Sequence, residues 1–297
     1  MSELLAIVGP TAAGKSSVAM ELARRRQAEI ISVDSMQVYR GMDIGTAKPT
    51  QLQRREIRHH MIDIVEPEVE YSVAEFSERG RSVIEGSKVD LVIAGGSGLH
   101  FRSLVDPMSF APTDPAVRSD LGTQSLESLQ VELEKRDPDA GIHVDLHNKR
   151  RVVRALEIVH LGGGTPSERA HTEEAERLRR YDSDYPFRAF GIDPGERLSA
   201  RVDERLTAMR SGGLVEEVTA LAPRLGRTAR AAVGYSEILE AIAGRATLEE
   251  AFSEIARNTN KLARRQRTWF QRDPRIRWIP WSERPEEMAD RIESDLR

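Results

Sequence analysis

The chain has 297 residues, of which 39% are hydrophobic, with 44 Lys+Arg against 48 Asp+Glu for a formal net charge of −4; this excludes general disorder and leaves room for two domains or one elaborated α/β domain. The absence of cysteine excludes disulfides, thiolate zinc sites and a cysteine nucleophile. No apolar run nears the roughly 18–20 residues of a membrane span, and MSELLAIVGP lacks the segments of a secretory signal, so the expectation is a cytoplasmic enzyme.

The first predicted strand is Leu4 to Val8, ending in Gly-Pro, and a helix follows with Val18 and Leu22 on one face. Glu29 to Val33 (EIISV) is a second β-branched run ending at Asp34, and Asp90 to Ala94 (DLVIA) a third ending in Gly95-Gly96. Short apolar runs separated by helices predict a parallel sheet built from β-α-β units, and ligands of such sheets gather at the carboxyl ends of the strands. The character changes at DPMSFAPTDP (Asp106 to Pro115). From there to about Pro186 the sequence is charged and helical, and Gly162 to Gly164 with Ser167 to Asp184 reads as a flexible connection or a mobile edge. A strand returns at Phe187 to Ile192, then helices run to about residue 271. The expected fold is α/β, with a P-loop NTPase-like parallel sheet flanked by helices (1–111 and 186–297) and a helical insertion at 112–185.

Gly9 to Ser16 reads GPTAAGKS and matches G-x-x-x-x-G-K-[ST] between a predicted strand and a predicted helix. In such a loop Gly9, Pro10, Thr11, Ala12, Ala13 and Gly14 turn backbone N–H groups toward an anion, and the helix adds its positive dipole end. Lys15 supplies a full charge and the Ser16 hydroxyl a ligand for Mg²⁺. A polyphosphate is therefore expected here. The motif alone favours a nucleoside triphosphate such as ATP, but the strand Asp90 to Ala94 ends in GGSG rather than in the second carboxylate usual in an ATPase.

Asp34 opens the distinctive stretch DSMQVYRGMDIGTAKPT. Together with GPTAAGKS, HHMIDI (59–64), GGSGLH (95–100), RRVVRALEI (150–158), AVGY (232–235) and ARRQRTWF (263–270), it resembles the bacterial tRNA dimethylallyltransferases, also called tRNA isopentenyltransferases. The motifs follow the family's order over residues 4 to 271. The resemblance implies transfer of a prenyl group from dimethylallyl diphosphate to the exocyclic amine of the adenosine 3′ of the anticodon, in tRNAs reading U-initial codons, with diphosphate released. It also implies that the phosphate loop holds the prenyl donor and that base and donor enter a channel from opposite sides. The helical insertion would grip the anticodon stem-loop of a tRNA bound by a monomer.

An adenine amine is a poor nucleophile, and a carboxylate accepting its proton helps by roughly 10²–10⁴-fold. Asp34, at a strand end facing the phosphate loop, is the expected base. Lys15, the loop amides, Mg²⁺ at Ser16 and an arginine would stabilise charge growing on the diphosphate. Arg197, Arg201 and Arg205 recur every four residues on a helix whose apolar face is Leu198, Val202, Leu206 and Met209, and the resemblance selects Arg201. GGSGLH stands where the family usually has GGTGLY: Ser97 keeps a hydroxyl able to bond the target base, and His100 reads as a core or surface histidine. His59 and His60 read as structural.

The basic charge is local. Arg257 to Arg277 holds eight basic residues and one acid, and Lys149, Arg150, Arg151 and Arg154 cluster within six positions, a footprint for phosphate. Arg257, Lys261, Arg264 and Arg265 share one predicted helix face and Leu262, Gln266, Trp269 and Phe270 the other. Both stripes coincide with tRNA-contacting segments of the family, which brings in Arg150, Arg151, Arg154, Arg264, Arg265, Gln266 and Arg267, and Arg118 matches a tRNA contact from the insertion. The loop residues Asp34, Ser35, Met36 and Gln37, with Ser97, Gly234 and Tyr235, complete the expected tRNA site, Gln37 as reader of the extracted base. Two alternatives share the phosphate loop. One is a small-molecule or nucleotide kinase, which needs neither the basic helix nor DSMQVY; the other is an RNA-binding protein without catalysis.

Overall fold

The computed structural model describes residues 3–297. Six strands form one all-parallel sheet in the order β3-β2-β4-β1-β5-β6. They are β1 (Leu4–Val8), β2 (Glu29–Ser32), β3 (His59–His60), β4 (Leu91–Gly95), β5 (Arg188–Gly191) and β6 (Ile276–Trp278). Strand β1 shows why the run is apolar throughout. Its alternate side chains Leu4, Ala6 and Val8 enter one core while Leu5 and Ile7 enter another on the opposite face, so no position is left for a polar residue. Phe101, Phe270 and Tyr235 fill the first core; Val18, Leu22 and Ile292, from the first and last helices, fill the second.

The four strands expected from the sequence form within a residue or so of their predicted ends. Strands β3 and β6 have no counterpart among the expected elements: they are two and three residues long and carry His59-His60 and an exposed Arg277. The expected structural histidines have partners. His60 Nε2 lies 2.6 Å from Glu29 Oε2 on the neighbouring strand, and His59 Nδ1 is 2.8 Å from the Ile57 carbonyl.

Two compact units divide the chain, one reaching to Val105 and resuming at Tyr185–Arg297, the other Asp106–Asp184. The second is helical, around its own core of Leu121, Leu129, Leu133, Val152 and Leu156. Its last part corrects the expected flexible connection. Pro166–Ala170 and Glu173–Arg179 are helices, started by Thr165 in a reciprocal capping box with Glu168 and by Thr172 accepting from the Ala175 N–H. The signal Thr-Pro-Ser-Glu is present in the sequence, masked by the surrounding charge. Within this unit Glu157 is buried and accepts from Arg118, Arg154 and the Asp114 N–H. Among the described residues no helix is long and apolar enough to cross a membrane.

Candidate active site

Adjacent strands β2, β4 and β1 release their chains along one carboxyl edge, and this sets the site. After β1 comes the glycine loop and the helix Lys15–Arg26; after β2 comes Asp34; after β4 come Gly96, Ser97 and the helix Gly98–Val105. The releases are stitched together: Val33 N–H donates to the Ala94 carbonyl at 2.9 Å and Ser97 N–H to the Val33 carbonyl at 3.1 Å. Gly9 has φ 143°, and a Cβ there would fall 2.2 Å from the Ile192 carbonyl oxygen, so only glycine lets the loop leave the sheet so close to β5.

Two depressions open at this edge. The larger in lining is a cavity of about 310 Å³ bounded by Thr11, Asp34, Ser35, Met36, Ser97 and Gly234, with Arg265, Gln266 and Trp269 from the long helix Leu248–Gln271. Its other wall is apolar, built by Val202, Leu206, Met209, Leu214, Ile255 and Leu262. The second, about 340 Å³, is bounded by Ala12, Gly14, Lys15, Ser16, Arg201, Glu204 and Arg205. Arg205 lines both.

The electrostatics call for an anion. Lys15 is buried and its Nζ donates to the Pro10 carbonyl at 2.5 Å. Burial, then the charge of Arg205, lowers its pKa to about 7, while Asp34 works to raise it. Burial likewise disfavours the charge of Arg205, again opposed by Asp34. Arg201 pairs with Glu204 at 2.8 Å, yet its Nε is buried without a hydrogen-bond partner among the described residues. An unfilled buried donor beside two desolvated cations is the arrangement a diphosphate would satisfy.

Asp34 is held by its own turn: Oδ1 accepts from the Met36 N–H at 2.8 Å. Ser97 Oγ lies 2.7 Å from His100 Nδ1, and burial lowers the His100 pKa to about 4 against the opposing charge of Asp34, so this imidazole is neutral at neutral pH. Gln266 Oε1 accepts from the Thr11 N–H at 2.7 Å, tying the phosphate loop to the long helix.

Several expected residues stand elsewhere. Gln37 is buried and does not line the cavity: its Oε1 accepts from Ser32 Oγ and its Nε2 donates to the Thr46 carbonyl, so its amide braces the loop. Tyr235 is also buried, its hydroxyl donating to Glu217, so Gly234 alone of that pair reaches the cavity. The same Glu217 takes the N–H groups of Asp43, Ile44 and Gly45. Arg267 is paired with Asp193, and Arg118 and Arg154 with Glu157, so these three are committed within the protein. Arg264 is exposed and Arg265 faces the cavity, while Arg150 and Arg151 line a cleft in the second unit. Of the phosphate-loop residues, Gly9, Pro10, Ala13 and Lys15 are buried, and the Ala13 carbonyl accepts from Trp281.

Two residues of the site escape sequence reasoning. Arg205 belongs to the visible four-residue repeat, but the repeat does not tell which arginine lies deepest. Trp269 is expected only on the helix face opposite the basic residues; it is 44% exposed on the cavity wall, lying across Gly98, where a Cβ would fall 1.9 Å from its indole nitrogen.

The sheet and its edge define an α/β protein of the phosphate-loop type with an apolar chamber beside the loop. The sequence model of the IPP transferase family matches residues 37–273, and the chain belongs to that family. It is 40% identical over 290 residues to the tRNA dimethylallyltransferase of Bifidobacterium adolescentis, covering 93% of this chain and 84% of the relative. With the enzyme of the same name from Streptomyces coelicolor it shares 41% over 302 residues, 98% and 92% of the two chains. Among solved structures it is similar to the tRNA isopentenylpyrophosphate transferase of Staphylococcus epidermidis, with TM-score 0.70 and 31% identity over 100% of this chain and 99% of that one. A eukaryotic dimethylallyltransferase acting on tRNA shares the fold at TM-score 0.82 and 23% identity, over 100% and 79%. The family is one of prenyltransferases, which sets the kinase alternative aside.

Proposed function

We propose that this chain transfers the dimethylallyl group from dimethylallyl diphosphate to the exocyclic amine of the adenosine 3′ of the anticodon, in tRNAs reading U-initial codons. The observation that carries this reading is the apolar wall of Val202, Leu206, Met209, Ile255 and Leu262 continuous with Asp34 and Ser97 and bordering the phosphate loop. A nucleotide kinase needs a second polar phosphate acceptor there; an isoprenoid tail needs hydrocarbon.

The bond that forms joins the adenine amine nitrogen to the allylic C1, and the bond that breaks joins C1 to the diphosphate oxygen, which leaves with the electron pair. Asp34 takes one amine proton as the new bond forms. Lys15, Arg205, Arg201 and the amides of Ala12 and Gly14 meet the negative charge that grows on the leaving group. Trp269 offers the extracted base a stacking surface at the mouth of the cavity.

Magnesium fits the second depression through Ser16, whose exposed hydroxyl stands there with Glu204. Among the described residues no group of three or more His, Asp or Glu side chains could hold a metal ion, so the ion would be carried mainly by diphosphate oxygens and water, with Ser16 as the chain's own ligand. When bound it would neutralise part of the leaving-group charge.

Arg150 and Arg151, unburied on the cleft of the second unit, and the exposed Arg264 and Arg265 of the first are each suited to tRNA phosphates, and the partner is the anticodon stem-loop, bound by a monomer in the cytoplasm. The test is to incubate the protein with Mg²⁺, unmodified tRNA and either labelled dimethylallyl diphosphate or labelled ATP. Prenyl label entering the tRNA supports the proposal. ATP consumption with a small acceptor would return the kinase reading, and inertness toward both would leave an RNA-binding protein.

A further inference from the structure

Ser97 has almost no freedom left except the rotation of its hydroxyl. Its N–H donates to the Val33 carbonyl at 3.1 Å, and its carbonyl accepts from the Phe101 N–H at 2.9 Å. One helical turn on, His100 places Nδ1 2.7 Å from the Ser97 oxygen. The imidazole is itself fixed. It meets Phe76 edge-on, with ring centroids 4.6 Å apart at 84°, and the His100 carbonyl accepts from Ser103 Oγ at 2.8 Å. Ser97 lines the cavity with Asp34, whereas His100 stands behind it.

A neutral imidazole has one acceptor nitrogen. A hydroxyl whose proton is engaged behind the cavity can only accept from the front; an unengaged hydroxyl is free to turn its own proton into the cavity and offer a donor where an acceptor is needed. The acceptor amine carries two hydrogens, and fixing its plane takes two acceptors. We propose that His100 is a positioning residue for the transfer: its Nδ1 takes the Ser97 hydroxyl proton in a hydrogen bond, so that Ser97 accepts one amine hydrogen while Asp34 removes the other. His100 touches neither substrate. It sets the direction of a hydrogen bond that Ser97 makes, and the inference rests on the transfer reading above.

The test compares kcat and KM for His100→Phe, His100→Asn, Ser97→Ala and the double variant Ser97→Ala/His100→Phe, with labelled dimethylallyl diphosphate and unmodified tRNA. Phenylalanine keeps the packing on Phe76 and removes the acceptor. It is expected to lower kcat about 3- to 10-fold, the scale of one hydrogen bond, with KM for the prenyl donor unchanged. Ser97→Ala should lose at least as much and the double variant no more than Ser97→Ala alone, because His100 acts only through Ser97. Asparagine, whose Oδ1 can stand where Nδ1 stands, should recover most of the loss. His100→Leu serves as the acceptor-free variant should the phenylalanine protein not fold.

Wild-type kcat in the acceptor-free variant beside an impaired Ser97→Ala would overturn the role of His100 and leave the transfer reading intact. Losses that multiply in the double variant would overturn it equally. Full activity of Ser97→Ala would instead remove Ser97 from the reaction, and no prenyl transfer by the unaltered protein would fail the reading beneath both.

Discussion

Burial, and after it the guanidinium of Arg205, holds the Lys15 ammonium at about 7, with the Asp34 carboxylate pulling the other way. The lysine of the phosphate loop is thus near its midpoint at neutral pH in the unliganded protein. A bound diphosphate supplies the opposite charge that this pair lacks and must raise the lysine's pKa.

The sign of the consequence follows. Below pH 7 Lys15 is already charged, and binding draws no proton on its account. Above pH 7 the free protein is increasingly neutral at this position, so binding takes up a proton and weakens as pH rises toward the bound-state value. Calorimetric titration of dimethylallyl diphosphate at pH 6 and pH 8, in buffers of different ionisation enthalpy, should show proton uptake growing at the higher pH. Lys15→Arg, which does not titrate in this range, should abolish the increment. Equal uptake in the variant would assign the proton to another group.

Asp34 is anchored by one oxygen to the Met36 N–H, and asparagine can keep that bond while losing basicity. Asp34→Asn is therefore expected to retain tRNA affinity and donor KM while kcat falls at least about 10²-fold, the lower end for a general base. A matching loss of binding would make Asp34 a loop anchor and nothing more.

Legibility in the sequence tracks burial on two sides. Strands β1 and β4 are visible as unbroken apolar runs, and β2 and β5 as short apolar stretches opened by a charged residue, each closed by Gly, Pro or Asp. The edge strands are too short and too polar: Ile276–Trp278 straddles the end of the basic stripe and offers no alternation to read. At the site, motifs mark which segments converge but not which way side chains turn. In the loop after β2, Asp34, Ser35 and Met36 face the cavity while Gln37, the next residue, turns inward to brace Thr46. Tyr235 follows Gly234 in the same way, one residue on the wall and the next behind it. A helical period places Arg201 and Arg205 on one face, but only the neighbouring loop decides that Arg205 reaches both depressions.

Glu157 shows why a basic cluster is not uniformly a nucleic-acid surface. Burial opposes its charge, yet the guanidiniums of Arg154 and Arg118 and the Asp114 N–H hold its carboxyl below the usual range. Glu157→Gln should destabilise the Asp106–Asp184 unit by about 1–3 kcal/mol at neutral pH, the scale of charged hydrogen bonds removed from a buried group. Because the carboxyl value is depressed, this contribution is complete above the ordinary glutamate range and fades as pH falls through the depressed value. Hydrogen exchange resolved over residues 106–184 at pH 7 and in acid should show wild type and variant converging. A difference that persists undiminished in acid would assign the loss to packing.

The arginines of the long helix divide by the same criterion. Arg264 is exposed and Arg265 lines the cavity, whereas Arg267 is neutralised by Asp193, which sits with it at the end of β5. Only an arginine without an acid of its own releases a counterion when it meets a phosphate. Arg264→Ala with Arg265→Ala should thus weaken tRNA binding and reduce the slope of log K against log salt by roughly 0.7–0.9 for each phosphate no longer neutralised. Arg267→Ala should leave the slope where it was, since Asp193 already compensates that charge. Binding isotherms for an unmodified tRNA between about 50 and 200 mM salt read both effects. An unchanged slope in the double variant would take the helix out of the interface, and a flattened slope in Arg267→Ala would mean that Asp193 surrenders its partner to the RNA.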